Sequence, residues 1–598
     1  MNTIKTKSCF SSRLARMLLL LMLLLSFHPT FAFSFTADGF NYTITSDSTV
    51  TLERSDQGYS DAQGDLIIPE SVSHNGHKYF VTEIGIFAFY CSGITSLELP
   101  KTVQNIQTFA FRGCHNLTSL TISNCSYIQS EAFGFCKGLK SVTIGAGVKR
   151  IYDAAFSSCS NLTEVIVEKG DKPLDLDGDA FADCHLKNLY LDRNLNDLFG
   201  FKILTPYFSV DSVFFGDNIT ILPHYLFYNC TSVTNIDIPN NIKEIGHSSF
   251  WGCTNLKEID LGNGVEKIDD YAFWGCTSLE SIGFGNKVTE IGSHAFYGCK
   301  ALKDIDLPKS LKSICSSAFS NCSGIFQLSI PNSVKSIYAY AFQGCIGLKK
   351  VIIEDGSTHL EMDAFGDRDI FGGCPVQDVY MGRNITGLDN DFFATYKDSP
   401  FSGMKTIKKF LIGNKVTTIP WYFFSGCDGI RTLVFPNVYN IGFSACGGCP
   451  RLKVIVLGEG LSYISDYGFN GCDLDAVYTM RTTPPTLYHQ VFHPCNETAT
   501  LYVPIGSKAA YQSADGWKEF KNIVEIDNFD EVIANLEDMY GYVAGDANGD
   551  REVNISDVNT IVDAILDGNQ DINYDMNDDF EINIADINAV INMILSGQ

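Results

Sequence analysis

Positive charge is scarce in this chain. Its 598 residues carry 43 lysines and arginines against 69 aspartates and glutamates, a formal net charge of −26. Nucleic acids and anionic membranes are gripped by basic surfaces, so neither is expected as a partner, and the acidity reads first as solubility. Long apolar runs are also missing. Outside Met17–Phe27 no stretch approaches the roughly 18 uninterrupted apolar residues of a bilayer span, so no membrane span is expected. The short catalytic signatures G-x-S-x-G, H-E-x-x-H and the P-loop do not occur. The 11 histidines keep no common position, and among 69 carboxylates any acid–base pair is a matter of chance. A glycosidase needs two carboxylates across a cleft, which a regular repeat does not supply. The expectation is a protein that is not an enzyme.

The N-terminus reads as a processing segment. Lys5, Lys7, Arg13 and Arg16 precede the apolar run Met17–Phe27, and small residues follow that suit cleavage after Ala32. This is the pattern of a signal peptide over residues 1–32. No cysteine follows it closely, so a lipid anchor is not expected; the mature chain should be secreted, extracellular or at the cell surface.

Cysteine, by contrast, is plentiful, with 20 in the chain. Cys91, Cys114, Cys136, Cys159, Cys184, Cys230, Cys253, Cys276, Cys299, Cys322, Cys345, Cys374, Cys427, Cys449, Cys472 and Cys495 recur mostly at intervals of about 22 to 25 residues. The interval from Cys184 to Cys230 is about two beats. A fixed period of this size marks a solenoid. In one unit, Cys253–Gly275, Ile259-Asp260-Leu261 alternates as a short strand and Gly262–Gly264 turns. Val265 and Ile268 form a second apolar edge, and Ala272 and Phe273 close the coil. One coil buries little alone; stacked copies share a continuous core.

An exported chain rich in cysteine invites a disulfide reading. The spacing favours packing instead: the cysteines form a column beside a phenylalanine column, where a thiol acts as a small hydrophobe. Zinc sites want clustered C-x-x-C pairs, and the one close pair is Cys446 and Cys449, with Cys446 standing in the phenylalanine column. Cys125 and Cys315 lie off the beat.

The repeats "IGSHAFYGCKALKDIDLP" and "IYAYAFQGCIGLKKVII" resemble the leucine-rich repeats of BspA-like surface proteins, over roughly Phe33 to Ile526. The resemblance implies a β-rich leucine-rich-repeat solenoid of about 23-residue coils. It places a β-rich N-terminal cap at 33–80, repeats at 81–480, a closing cap at 481–526 and a linker at 527–542. Two longer units, "LYLDRNLNDLFGF…" and "VYMGRNITGLDND…", resemble each other, which suggests a duplicated block whose extra residues loop out.

The pattern changes again in residues 543–598. Asp546, Asn548, Asp550, Asn554 and Asp557 repeat as Asp575, Asn577, Asp579, Asn583 and Asp586, each set at loop positions 1, 3, 5, 9 and 12. Glu552 and Glu581, at position 7, would offer backbone carbonyls. Oxygens so spaced converge on one Ca²⁺, giving two sites, and each loop leads into a short amphipathic helix. The competing reading is a pair of solvated acidic turns. Aspartate at position 12 and the lack of an entering helix resemble a type I dockerin, a small α-helical Ca-binding domain. That resemblance implies docking onto a cohesin-like domain of another protein through Ile555, Ser556, Ile584 and Ala585, with Val562, Asp563, Ile591 and Asn592 behind them. Arg551 and Phe580 depart from the pattern: position 6 wants positive φ and usually glycine, so each costs on the order of 1 kcal/mol.

Two functional readings follow. In the first, the solenoid is a recognition or adhesion surface for an extracellular protein or glycan, and the dockerin-like module tethers it. Side chains pointing out of each strand line that face, among them Glu98, Thr121, Thr143, Ile166, Ser329 and Ile352; the acidic set Asp237, Asp260 and Asp306 is its candidate ligand patch, or else a solvated face. The BspA-like resemblance implies adhesion to host matrix proteins. In the second reading the chain is an accessory of a polysaccharide-degrading complex, where a hydrolase role would come by association. Trp251, Trp274 and Tyr297 either form a sugar-stacking ladder or cover the coil edge.

Overall fold

Each coil contributes to two parallel ladders. In Glu258–Asp260, Ile259 is buried between the exposed Glu258 and Asp260; a few residues on, Lys267–Ile268 forms a second strand with Ile268 buried. The alternation of apolar and polar residues sends one side chain of each pair inward. The computed structural model describes residues 33–54, 62–177, 179–196, 209–231, 233–303, 305–363, 369–387, 399–529, 531–532, 555–566 and 584–596. The proposed signal peptide and positions 1 to 9 of both proposed Ca²⁺ loops lie outside these residues. The chain divides into two units, residues 1–216 and 217–598.

The first unit opens with an antiparallel meander, Ser34–Ala37, Phe40–Ile44 and Thr49–Glu53. A hairpin follows, Ser71–His74 with His77–Ile84. Its turn residues Asn75 and Gly76 have φ of 50° and 79°, the left-handed pair that tight hairpins require. His77–Ile84 also pairs in parallel with Thr49–Glu53 and with Asn105–Ile106, so the cap leads directly into the ladder of short strands. The longer strands Ser119–Ile122, Ser141–Ile144, Glu164–Val167, His185–Leu191 and Ser209–Phe215 form the second ladder.

The second unit repeats the scheme. Its long-strand ladders include Gln327–Ile330, Lys350–Ile353, Asp378–Met381 and Lys409–Ile412, then Thr432–Phe435, Val454–Leu457, Ala476–Thr479, Thr500–Pro504 and Asn522–Ile526. Trp517 closes the core end: it is fully buried, packs on Phe492 with ring centroids 5.4 Å apart, and donates Nε1–H to the Pro485 carbonyl at 2.8 Å. Tyr511 donates to the Arg481 carbonyl at 2.9 Å.

A column of phenylalanines fills each unit. Phe89, Phe111, Phe133, Phe156 and Phe181 stack at 5.1 to 5.4 Å, and Phe250, Phe273, Phe296 and Phe319 at 4.9 to 5.0 Å. The described cysteines are free thiols, and those of the column from Cys114 to Cys495 are buried beside it, except Cys230, which is half-buried. Most of the buried column thiols also donate a hydrogen bond to a phenylalanine carbonyl. Cys276 donates to the Phe250 carbonyl at 3.1 Å and Cys299 to the Phe273 carbonyl at 3.2 Å, one coil back in each case. The same carbonyls accept the N–H of Cys253 and Cys276, so the thiol engages the second lone pair. Where Cys446 replaces phenylalanine, Cys472 donates to the Cys446 carbonyl at 3.0 Å.

One member of the cysteine series is misplaced by its spacing. Cys91 is exposed, with φ of 57°, and the column position in that coil belongs to Ser92, which is buried and lies 3.2 Å from the Cys114 sulfur. Counting from the phenylalanine rather than the cysteine fixes the register: Ser92 follows Phe89 as Cys276 follows Phe273. From Phe89 to Phe469 the residue two after the column phenylalanine is left-handed, which accounts for the glycine in Gly-Cys. Gly275 has φ of 71°; where the glycine is absent the position is still left-handed, at Asn229 and Asn321 with φ of 57° and 61° and also at Phe135, Ser158 and Asp183.

The two longer units share a buried arginine. Arg383 is fully buried and donates to the carbonyls of Pro331, Asn332 and Val334 at 2.8 to 2.9 Å. Arg193 does the same to Gly145 and Ala146 at 3.3 and 3.4 Å. Burial lowers the pKa of both guanidiniums from the usual arginine value.

Candidate ligand-binding face

Parallel pairing in register turns one outward residue per strand into a row. In the first unit Thr121, Thr143, Ile166, Tyr190 and Phe214 are successive partners. The row becomes apolar as it proceeds: Tyr190 and Phe214 stack at 4.6 Å, and Phe214 is 46% exposed. The second unit runs the same way. Asp237 pairs with Asp260 and Asp260 with Gly283, and the acidic candidates Asp237, Asp260 and Asp306 are all exposed on this face. Further along, Ser329, Ile352, Tyr380 and Leu411 are successive partners. Leu411 is 48% exposed. The Tyr380 hydroxyl donates to Asp355 at 2.7 Å, and this hydrogen bond, with burial and the nearby charge, raises its pKa.

Beyond Leu411 the outward side chains are no longer open. Val454, Val456, Ala476 and Tyr478 are buried although their register places them on the outward side, opposite Leu433, Phe435 and Val477. They are covered by the chain itself: Val434, Tyr502, Ile526, Phe529 and Val532 pack against them. The covering turn is helical. Asn528 caps it, its Oδ1 accepting the Glu531 N–H at 3.3 Å while its Nδ2 donates to the Glu531 carboxylate, and Val532 N–H reaches the Asn528 carbonyl. The start of the segment read as a linker therefore packs on the solenoid, because Phe529 and Val532 are apolar residues one turn apart and have this row to cover.

The aromatic residues of the coil edge form a second feature. Trp251 and Trp274 stack at 4.1 Å, and Trp274 and Tyr297 at 5.8 Å with planes 6° apart. Their faces are turned on one another, and a sugar stacks on an open face. The arrangement is that of a cover over the coil edge.

The two described C-terminal helices, Ile555–Leu566 and Ile584–Ser596, pack through Val558, Ile561 and Val590, with Ile565, Ile587, Ala589 and Ile591 around them. Ile555 and Ile584, the docking candidates at the helix starts, are 67% and 70% exposed; Asp563 is exposed, and Val562 and Ile591 are half-buried. The side chains of Ser556, Asp557, Ala585, Asp586 and Asn592 lie outside the description, as do Asp546, Asn548, Asp550, Glu552, Asn554, Asp575, Asn577, Asp579, Glu581 and Asn583. Among the described residues no group of three or more histidines, cysteines or carboxylates could hold a metal, and no helix is long and apolar enough to cross a membrane.

The family model for the BspA type leucine-rich repeat region matches residues 82–201, 206–326, 267–399 and 394–499, well over half of the chain. The chain belongs to the BspA type leucine-rich repeat family. A leucine-rich repeat protein from Bacteroides ovatus is 21% identical, with 75% of this chain and 94% of that one aligned and a TM-score of 0.32. A leucine-rich cell surface protein from Faecalibacterium prausnitzii is 24% identical over 55% of this chain and 95% of its own, with a TM-score of 0.27. The pneumococcal vaccine antigen PcpA is 18% identical over 64% of this chain and 94% of its own, with a TM-score of 0.33. No curated protein matches the chain. The BspA-type coils thus carry the outward rows and the aromatic edge alike.

Proposed function

We propose that this is a secreted or surface-exposed, non-catalytic recognition protein that binds an extracellular protein through the strand face of its BspA-type repeats. The observation that carries the reading is the outward row Ile352–Tyr380–Leu411, apolar side chains in register with Leu411 open to solvent. Ile352 and Tyr380 are half-buried and Leu411 is open, so the row leaves apolar surface available to a partner. The acidic stretch Asp237, Asp260 and Asp306 extends the same face and would meet a basic region of the ligand. The C-terminal module, in this reading, holds two Ca²⁺ ions on its twin acidic loops and tethers the protein to a cohesin-like partner; the exposed Ile555 and Ile584, equivalent residues of the two helices, support it. Binding of the full chain to extracellular matrix proteins, set against a glycan array, is the test. Protein binding lost on substitution of the strand face supports the reading. Glycan binding lost with Trp251 and Trp274 supports instead a role beside polysaccharide-degrading enzymes.

A further inference from the structure

The chain shows, on itself, what its strand face accepts. The covered end of the face holds a helical turn through Phe529 and Val532, seated on Val454, Val456, Ala476 and Tyr478. Its flanks are acidic, with Asp527 and Glu531 beside the two apolar residues. The same outward row runs on unroofed: Val456 pairs with Val434, and the coils before it place Leu411, Tyr380 and Ile352 in that row. Successive strands stand about 4.8 Å apart, close to the pitch of about 5.4 Å between turns of an α-helix. A helix lying along the row therefore sets one apolar residue per turn over each strand. The adjoining outward column carries Lys350 and Lys409, both exposed, with Asp378 between them. Lys350 stands where an acidic flank like that of the chain's own turn would meet it.

We infer that the open row Ile352–Tyr380–Leu411 receives an acidic amphipathic helix of a partner protein, seated as the chain seats its own Phe529–Val532 turn. This rests on the strand-face reading above and narrows it to a site and a class of ligand.

The probe is a synthetic peptide copying Glu525–Asp538, titrated by fluorescence anisotropy into the full chain, whose own turn already fills the covered end. Saturable binding is expected. Leu411→Asp should weaken it about tenfold or more, since an apolar contact worth over about 1.4 kcal/mol is replaced by a charge. Asp171→Ala, at an exposed position of the first unit away from both rows, should leave it unchanged. Lys350→Glu with Lys409→Glu should weaken it at low salt, which keeps the test open if Leu411→Asp fails to fold. A peptide with Phe529→Ala and Val532→Ala should not bind. No saturation at millimolar peptide overturns the inference. So does binding that Leu411→Asp leaves intact, which would mean that the peptide displaces the chain's own turn. A concentration-dependent dimer abolished by Leu411→Asp would assign the row to a second copy and also overturn it. If the peptide fails while a matrix protein still binds through the strand face, the inference falls and the broader reading stands.

Discussion

The Cys276 thiol donates to the Phe250 carbonyl at 3.1 Å, and that carbonyl also accepts the Cys253 N–H. The cysteine column is thus a hydrogen-bonding element as well as a packing one. Cys276→Ser keeps a donor and should fold with a modest loss. Cys276→Ala leaves both a small cavity and a carbonyl short of one partner, and should cost about 1 to 2 kcal/mol in chemical denaturation. Thiol counting by mass spectrometry in denaturant without reductant should find the column reduced; a mostly oxidised column would contradict this geometry.

Alkaline pH should unfold the solenoid early. Burial pushes the thiols of Cys125, Cys184 and Cys495 from 9.0 up to about 12, and that of Cys230 to about 11. The folded state holds these protons after the unfolded chain has released them. Their stabilisation is therefore complete below about pH 9 and is lost as pH rises toward about 12, by up to about 1.4 kcal/mol per thiol per pH unit. Denaturation midpoints measured from pH 7 to 11 should stay level and then fall above 9. A flat profile would show the thiols to be freely solvated.

The phenylalanine column and the outward row should respond differently to truncation. Phe273 is fully buried between Phe250 and Phe296, at 4.9 and 5.0 Å. Phe273→Ala should cost about 3 to 5 kcal/mol, and Asp260→Ala, exposed, within about 0.5 kcal/mol either way. Equal midpoints for the two variants would mean that the repeat register is wrong.

The register was legible because every coil repeats it: the phenylalanine and cysteine columns, the outward Asp260 and the edge-covering tryptophans all follow from one period. Features that occur once or twice escaped. Counting from cysteine misplaced Cys91, because Ser92 can fill the same small polar slot. The buried arginines in "DRN" and "GRN" carry no local signal, since nothing near them in sequence reveals carbonyls two coils back that need donors. The covering turn did have a signal, Asn528 followed by Glu531 ahead of apolar residues, but the acidity of the segment masked it.

Calcium should be taken up by the full chain at two sites. Asp546→Ala with Asp575→Ala should abolish the heat of Ca²⁺ binding in calorimetry while sparing the solenoid unfolding transition. Arg551→Gly and Phe580→Gly should tighten binding, by up to about tenfold each, if position 6 is left-handed. Looser binding in the glycine variants would remove that argument, and no heat at millimolar Ca²⁺ would remove the module's proposed role.

The central claim is that the strand face, not the aromatic edge, is the recognition surface. Its most direct test is binding of the full chain to immobilised collagen, laminin and fibronectin, comparing Leu411→Asp and the triple alanine variant of Asp237, Asp260 and Asp306 with Trp251→Ala plus Trp274→Ala. We predict that a face substitution abolishes or sharply weakens binding while the tryptophan variant, if folded, keeps it. Binding that survives both face variants and disappears with the tryptophans would contradict the account.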